Sequence, residues 1–403
     1  MLGPAPVLMP FRIQSADMAD FHALADPRVF PDPRTAPSAD AQLYALAADS
    51  LTADSRQRAD AVDLEIRGLL ATRLGANGAA LAALFAGAPS VDVTRHLWRE
   101  LDAVWRDATA SKGEDLALMI FALPIVIVSG VEGSAVDVAN SAIVSEPQAL
   151  AAILREHGAL GGNENFALSP ALVGADAIDL ARLPEIFAWQ RLAEPKVGDF
   201  SARILVPSPF GNSAGGEAVH LRFLVGSAVA RPDVDLLAAE DVGKWGVPFT
   251  KDLSRQLAAA DSSILALARA PQRPLPAVRS GRVAQREVSA QIFASNAIRK
   301  LRASVGEPTA LISAHRAPDA PGGGELRLSL SSPFAPRDAE GFLCPLYPLD
   351  RVGDVASMLV DLLTDCRVTD VRIASGVHAD RDPMTGMRLL FKPDALPDAA
   401  AVH

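Results

Sequence analysis

Two hydrophobic periods alternate toward the end of the chain. Leu326, Leu328 and Leu330 alternate with Arg327, Ser329 and Ser331, which predicts a half-buried strand over Glu325–Ser331. Thr309–His315 precedes it across a turn-rich segment containing Gly322, Gly323 and Gly324, so the two strands are expected to form an antiparallel hairpin. Before them, Phe293, Ala294, Ala297, Ile298, Leu301 and Val305 share one helical face, which predicts a helix over Glu287–Ser304, stopped by Gly306 and Pro308. After them, Val352, Val355, Leu359 and Leu362 predict a second helix over Arg351–Thr364, with Asp350 as its N-cap. Val368–Ala374 and Met387–Phe391 then suggest a second hairpin. The expected result is a four-stranded antiparallel sheet with helices on one face.

Upstream, the pattern is helical first and mixed afterwards. Ala41–Leu51, Asp60–Leu74 and a third segment ending at Ala108 carry helical stripes of Leu, Ala and Val. In the third, Leu97, Leu101, Val104 and Trp105 share a face, and His96, Trp98 and Arg99 fall off it, so His96 reads as structural or solvated. Leu116–Val128 is the most apolar run; it contains Pro124 and is too short to span a bilayer, so it reads as a buried strand. Glu146–His157 reads as a helix, Ala202–Val206 and Glu217–Ser227 as strands, and Asp233–Glu240 and Asp252–Ala268 as helices joined by a link that holds Trp245. Gly215-Gly216-Glu217 before Leu221-Arg222-Phe223 echoes Gly323-Gly324-Glu325 before Leu326-Arg327-Leu328, which hints at a repeated strand–turn–strand element.

The fold class that follows is α+β: a helical N-terminal region, then antiparallel hairpins with helices packed on the sheet in repeated helix–strand–strand units. The expected divisions are an extended or disordered proline-bearing arm over 1–38, a helical region over 39–113, a mixed region over 114–198 and a hairpin-repeat domain over 199–403.

Composition narrows the function. Hydrophobic residues make up 49% of the 403 residues and aromatics only 5%, so the core is built from Ala, Leu and Val, and an aromatic-lined sugar or base platform is disfavoured. The formal charge of −10 argues against general affinity for nucleic acid or anionic membranes. Cys344 and Cys366 form no metal-ligand spacing, and both read as small buried hydrophobes in a reduced, cytoplasmic protein. No secretory leader is expected, because no basic segment precedes an apolar one at the start. The abundance of Ala, Asp and Arg suggests a bacterial source. Neither the dinucleotide nor the P-loop glycine pattern occurs, so no cofactor and no metal is expected. Ser129-Gly130-Val131-Glu132-Gly133-Ser134 reads as a tight turn after the buried strand.

One string carries catalytic character. Gly211-Asn212-Ser213-Ala214-Gly215 fits G-x-S-x-G, the turn that exposes a nucleophilic serine. With Gly216 it resembles the G-D-S-A-G-G string of hormone-sensitive-lipase-like esterases, with Asn212 in place of Asp, and His157-Gly158 with Gly161-Gly162 faintly resembles that family's oxyanion segment. The resemblance implies Ser213 as nucleophile, with His315 or His378 as the base. The competing reading is a hairpin loop, because the residues after the string alternate as a strand. His378-Ala379-Asp380-Arg381-Asp382 reads as a solvated turn rather than a metal loop.

Charge segregation is the other signal. From residue 269 to 302 there are eight basic residues and one acidic residue, a net of +7 that leaves −17 for the remainder. Arg273, Arg279, Arg282, Arg286, Arg299, Lys300 and Arg302 are therefore candidates for docking or anion binding. The leading expectation is a non-catalytic interaction or scaffold subunit of a cytoplasmic bacterial assembly, with a protein partner or self-association and no membrane. The alternatives are a serine hydrolase using Ser213, and an anionic-ligand or nucleic-acid binder acting through the 269–302 block.

Overall fold

A computed structural model describes residues 39–109, 116–129, 143–192, 218–231, 242–257, 264–304, 306–317, 323–332, 335–381 and 400–402. The protein is a mixed α+β chain, with a helical N-terminal region followed by strands and helices. Its described residues fall into two compact units, one within Thr35–Gly87 and Arg95–Val288, the other within Ser289–His403 together with Ala88–Thr94. The boundary expected near residues 195–200 lies outside the described residues, as do the N-terminal arm, the Ala202–Val206 strand, the Asp233–Glu240 helix and Met387–Phe391.

The first unit begins with helices α1 (Ala39–Leu51), α2 (Arg56–Leu74), α3 (Gly78–Gly87) and, beyond its first residues, α4 (Val91–Thr109). Ser55 caps α2 by accepting from the Arg58 N–H. Four strands follow, β1 (Ala117–Ser129), β2 (Phe166–Val173), β3 (Ala218–Ala230) and β4 (Ile264–Ala268), in the order β2-β3-β1-β4 with every pairing antiparallel. Phe121, Leu123, Ile125 and Ile127 face a core shared with helices α5 (Pro147–Glu156) and α7 (Val242–Leu257). The alternate residues Ile120, Ala122 and Val126 are equally buried, which explains why this strand reads as an unbroken apolar run. Helix α6 (Leu183–Leu192) and the first half of α8 (Pro274–Ser304) also belong to this unit. Gly281 of α8 lets it approach β3, since a Cβ there would lie 2.8 Å from Leu221 Cδ1. Pro124 is tolerated within β1 because its carbonyl side, where its N–H would also point, faces the Arg269 N–H just past the end of β4.

Three expectations are corrected here. The helix expected over Asp252–Ala268 ends at Leu257, and Ile264–Ala268 is a strand paired with Ile125–Ser129. Trp245, expected in a link, lies inside α7 and is buried in its core. The helix expected to start at Glu287 starts at Pro274, since Pro274 and Pro276 occupy its first turn, where no intrahelical N–H is needed.

The second unit is built on a five-stranded sheet, β5 (Thr309–Arg316), β6 (Gly324–Ser332), β7 (Ala335–Pro345), β8 (Asp370–His378) and β9 (Ala400–Val402), in the order β7-β6-β5-β8-β9. The β5–β6 hairpin forms as expected, from Thr309 opposite Ser331 to Arg316 opposite Gly324. The sheet is not purely antiparallel: helix α9 (Val352–Asp365) carries the chain across so that β8 runs parallel to β5. Ala310, Ile312, Ala314, Leu326, Leu328 and Leu330 pack beneath the second half of α8 and α9. Asp350 does not cap α9; it accepts from the Tyr347 N–H in the turn before it. Among the described residues, no helix is long and apolar enough to cross a membrane.

Candidate functional site

The other face of the second sheet is polar, and it is buried. Strand β6 is closed on both faces rather than half-buried, with Glu325, Arg327, Ser329 and Ser331 all withdrawn from solvent. Beside them on β5 stand Ser313, 1% exposed, and His315, 0% exposed. Register brings these groups together, since Ser313 lies opposite Arg327 and His315 opposite Glu325 on β6, while His378 of β8 lies opposite His315. The β5–β8 register shifts between Ile312 and Ala314, so three residues of β8, Ala374 to Gly376, fall opposite Ser313. Gly376 takes φ +74°, which side-chain-bearing residues adopt at a cost.

The hydrogen bonds fix the protonation pattern. The His315 Nδ1–H donates to the Ala379 carbonyl at 2.8 Å, so Nε2 carries the lone pair and accepts from the Ser313 hydroxyl at 2.9 Å. The two imidazole rings of His315 and His378 are 5.5 Å apart. Burial above all, with the Arg327 and His378 neighbours adding to it, lowers the His315 pKa to about 4, against the opposing pull of the Ala379 carbonyl. Burial also lowers the His378 pKa, opposed by its hydrogen bond to the Ser375 backbone. Arg327 is fully enclosed: its Nε donates to Glu325 Oε1 at 2.8 Å, its Nη1 to the Asp380 carbonyl at 2.7 Å, and its Nη2 to the Asp380 carboxylate. Asp380 also receives the Arg381 Nε at 3.2 Å. Thus Asp380 neutralises two arginines.

A second buried cluster lies in the helical region. Asp63, His96 and Glu100 bring potential ligand atoms within 4.8 Å of one another. Arg99 Nη2 donates to His96 Nδ1 at 2.9 Å, so His96 Nε2 carries the proton and donates to Asp63 Oδ1 at 2.8 Å. Arg67 Nε donates to Glu100 at 2.7 Å and Arg99 Nε to the same carboxylate at 2.9 Å. Two guanidinium groups therefore pair with these carboxylates, and the set joins α2 to α4. His96 is buried rather than solvated.

The basic block begins just before α8, is dispersed along it and is largely turned toward its own chain. Arg269 pairs with Glu287 at 3.0 Å, Arg273 with Asp102 at 3.9 Å and Arg282 with Asp179 at 2.7 Å. Lys300 pairs with Glu340, and Arg302 reaches Glu307 and the carbonyls of Cys366 and Arg367. Arg299 donates to Asn296, Arg286 is buried and Arg279 is exposed. Ser213 and the surrounding glycines lie outside the described residues, as does Gly130–Ser134. His157 and Gly158 end α5, and Gly158, Gly161 and Gly162 take positive φ in the turn that follows. Both cysteines are free thiols, Cys344 buried and Cys366 half-buried.

Ser313 went unnoticed in the sequence. Its signal lay in register: once Thr309–His315 and Glu325–Ser331 are paired as a hairpin, Ser313, His315, Glu325 and Arg327 fall on one face. No family model matches the chain, and no curated protein and no solved structure is significantly similar to it.

Proposed function

We propose that the protein is an interaction subunit that assembles through strand β4, with a second copy of the chain as the occupant of that edge. The observation that carries this is the contrast among the four sheet edges that the described residues form. Strand β2 holds Pro170 and a register shift between Leu168 and Leu172, and Ala171 is bridged by Ile143. Strand β7 carries Pro336, Arg337, Asp338 and Glu340 in its sequence, and β9 has only three residues. These are the devices by which edges are kept from pairing with other chains. Strand β4, Ile264-Leu265-Ala266-Leu267-Ala268, has no proline and no charge, and it exposes Leu265 to 53% and Leu267 to 42%. Two such strands can pair antiparallel without opposing like charges. Free thiols and a bacterial-type composition support a cytoplasmic setting.

Light scattering across a concentration series tests the reading. A dimer is expected, and Leu265→Lys combined with Leu267→Lys should give a monomer with unchanged circular dichroism. A strict monomer at the highest concentration, or a dimer that survives the double substitution, would overturn it.

A further inference from the structure

We propose that Ser313 is an acyl-accepting nucleophile with His315 as its general base, acting on small, uncharged carboxylic esters. The inference is independent of strand β4 and adds chemistry to a chain whose sequence reads as non-catalytic.

Three observations carry it. The first is the ordered series of hydrogen bonds: hydroxyl to Nε2 at 2.9 Å, then Nδ1–H to the Ala379 carbonyl at 2.8 Å. This is the nucleophile, base and orienting acceptor of an activated serine, with a backbone carbonyl in the orienting place. The second is the irregularity of β8 opposite Ser313, where Gly376 takes positive φ before His378 falls into line with His315. Such bulges re-aim side chains next to functional sites. The third is charge balance. Arg327 and Arg381 are matched by Glu325 and Asp380, so among the described residues the site has no surplus cation to hold a carboxylate or phosphate on the substrate. Near-complete burial of Ser313 limits the substrate to small groups.

The step balances without a co-reactant. Ser313 Oγ forms a bond to the acyl carbon as His315 Nε2 takes the hydroxyl proton. The ester C–O bond breaks, and the alcohol leaves with that proton. Water then releases the acid by the same route. The His315 ring is in its base form throughout the neutral range, but its low basicity predicts slow turnover.

The probe is methanesulfonyl fluoride, a small reagent, on the full chain, with the modified residue mapped by peptide mass spectrometry. There Ser313 Oγ bonds to sulfur and fluoride leaves. Label on Ser313 is expected, lost in Ser313→Ala. His315→Asn keeps a side-chain N–H near the Ala379 carbonyl but removes the acceptor at Nε2, and should slow labelling about 100-fold. The wild-type rate should be flat from pH 6 to 8 and fall toward pH 4, and a merely structural ring would give no such profile. A folded protein that takes no label at Ser313, label confined to Ser213, or an undiminished rate in His315→Asn would each overturn the proposal. Because the wild-type map decides the first two outcomes, a variant that fails to fold does not rescue it.

Discussion

His315 stores a pH dependence in the second unit whatever its chemistry. In an unfolded chain its ring takes up a proton near pH 6.5. In the folded chain burial, Arg327 and His378 hold that pKa at about 4. Between these values the unfolded state binds the extra proton, so the folded state is fully stable above about pH 6.5 and loses stability as pH falls toward 4. The loss attributable to this ring is about 3 kcal/mol. The lowered pKa of His378 acts in the same direction, and the Glu325 and Asp380 carboxylates pair with Arg327 close by, so the informative quantity is a difference between proteins. Denaturant midpoints from pH 4 to 7 should show a shallower slope for His315→Asn than for wild type, and an identical slope would remove His315 as the cause. Both histidines were visible in the sequence as isolated residues. Their meeting depends on a parallel pairing across a helix and on a two-residue register shift, neither of which leaves a local trace.

Elements were legible where one period ran without competition. The spacing of Val352, Val355 and Leu359 placed α9 to within a residue, because these side chains enter one core. Alternation placed β6, yet it implied a solvent-facing side where the fold buries a polar one, since period alone cannot tell what covers a face. Ile264–Ala268 misled for a related reason: a short apolar run has no period of its own, and its pairing with β1 decides its state. Close packing between elements is likewise silent in a single sequence. Gly226 of β3 sits where a Cβ would lie 2.3 Å from the Phe121 ring and 2.8 Å from the Ala167 carbonyl. Gly226→Ala must therefore displace both a core ring and the β2 backbone, and is expected to cost about 1–3 kcal/mol. Thermal unfolding checks this, and an unchanged midpoint would mean that the three strands part more easily than their packing implies.

At the scale of the whole molecule, charge is segregated along the sequence and largely recombined in space. The 269–302 block carries +7 against −17 elsewhere, but Arg269, Arg273, Arg282, Lys300 and Arg302 each face an acidic residue of their own unit. Most of these pairs are partly exposed, so each contributes little to stability. Their consequence lies in the field they leave. A cation already paired releases few counterions when it meets a phosphate, and the protein as a whole repels a polyanion with its net charge of −10. Ordinary non-specific DNA binders have dissociation constants of about 10⁻⁴ to 10⁻⁶ M at physiological salt, tightening steeply as salt falls. Fluorescence anisotropy of mixed-sequence single- and double-stranded DNA at about 50 mM salt would register even the weaker of these. The expected result is a flat titration at every salt concentration. A rise that weakens with salt, and that shrinks in Arg279→Glu, would show that the exposed part of the α8 block acts on nucleic acid after all.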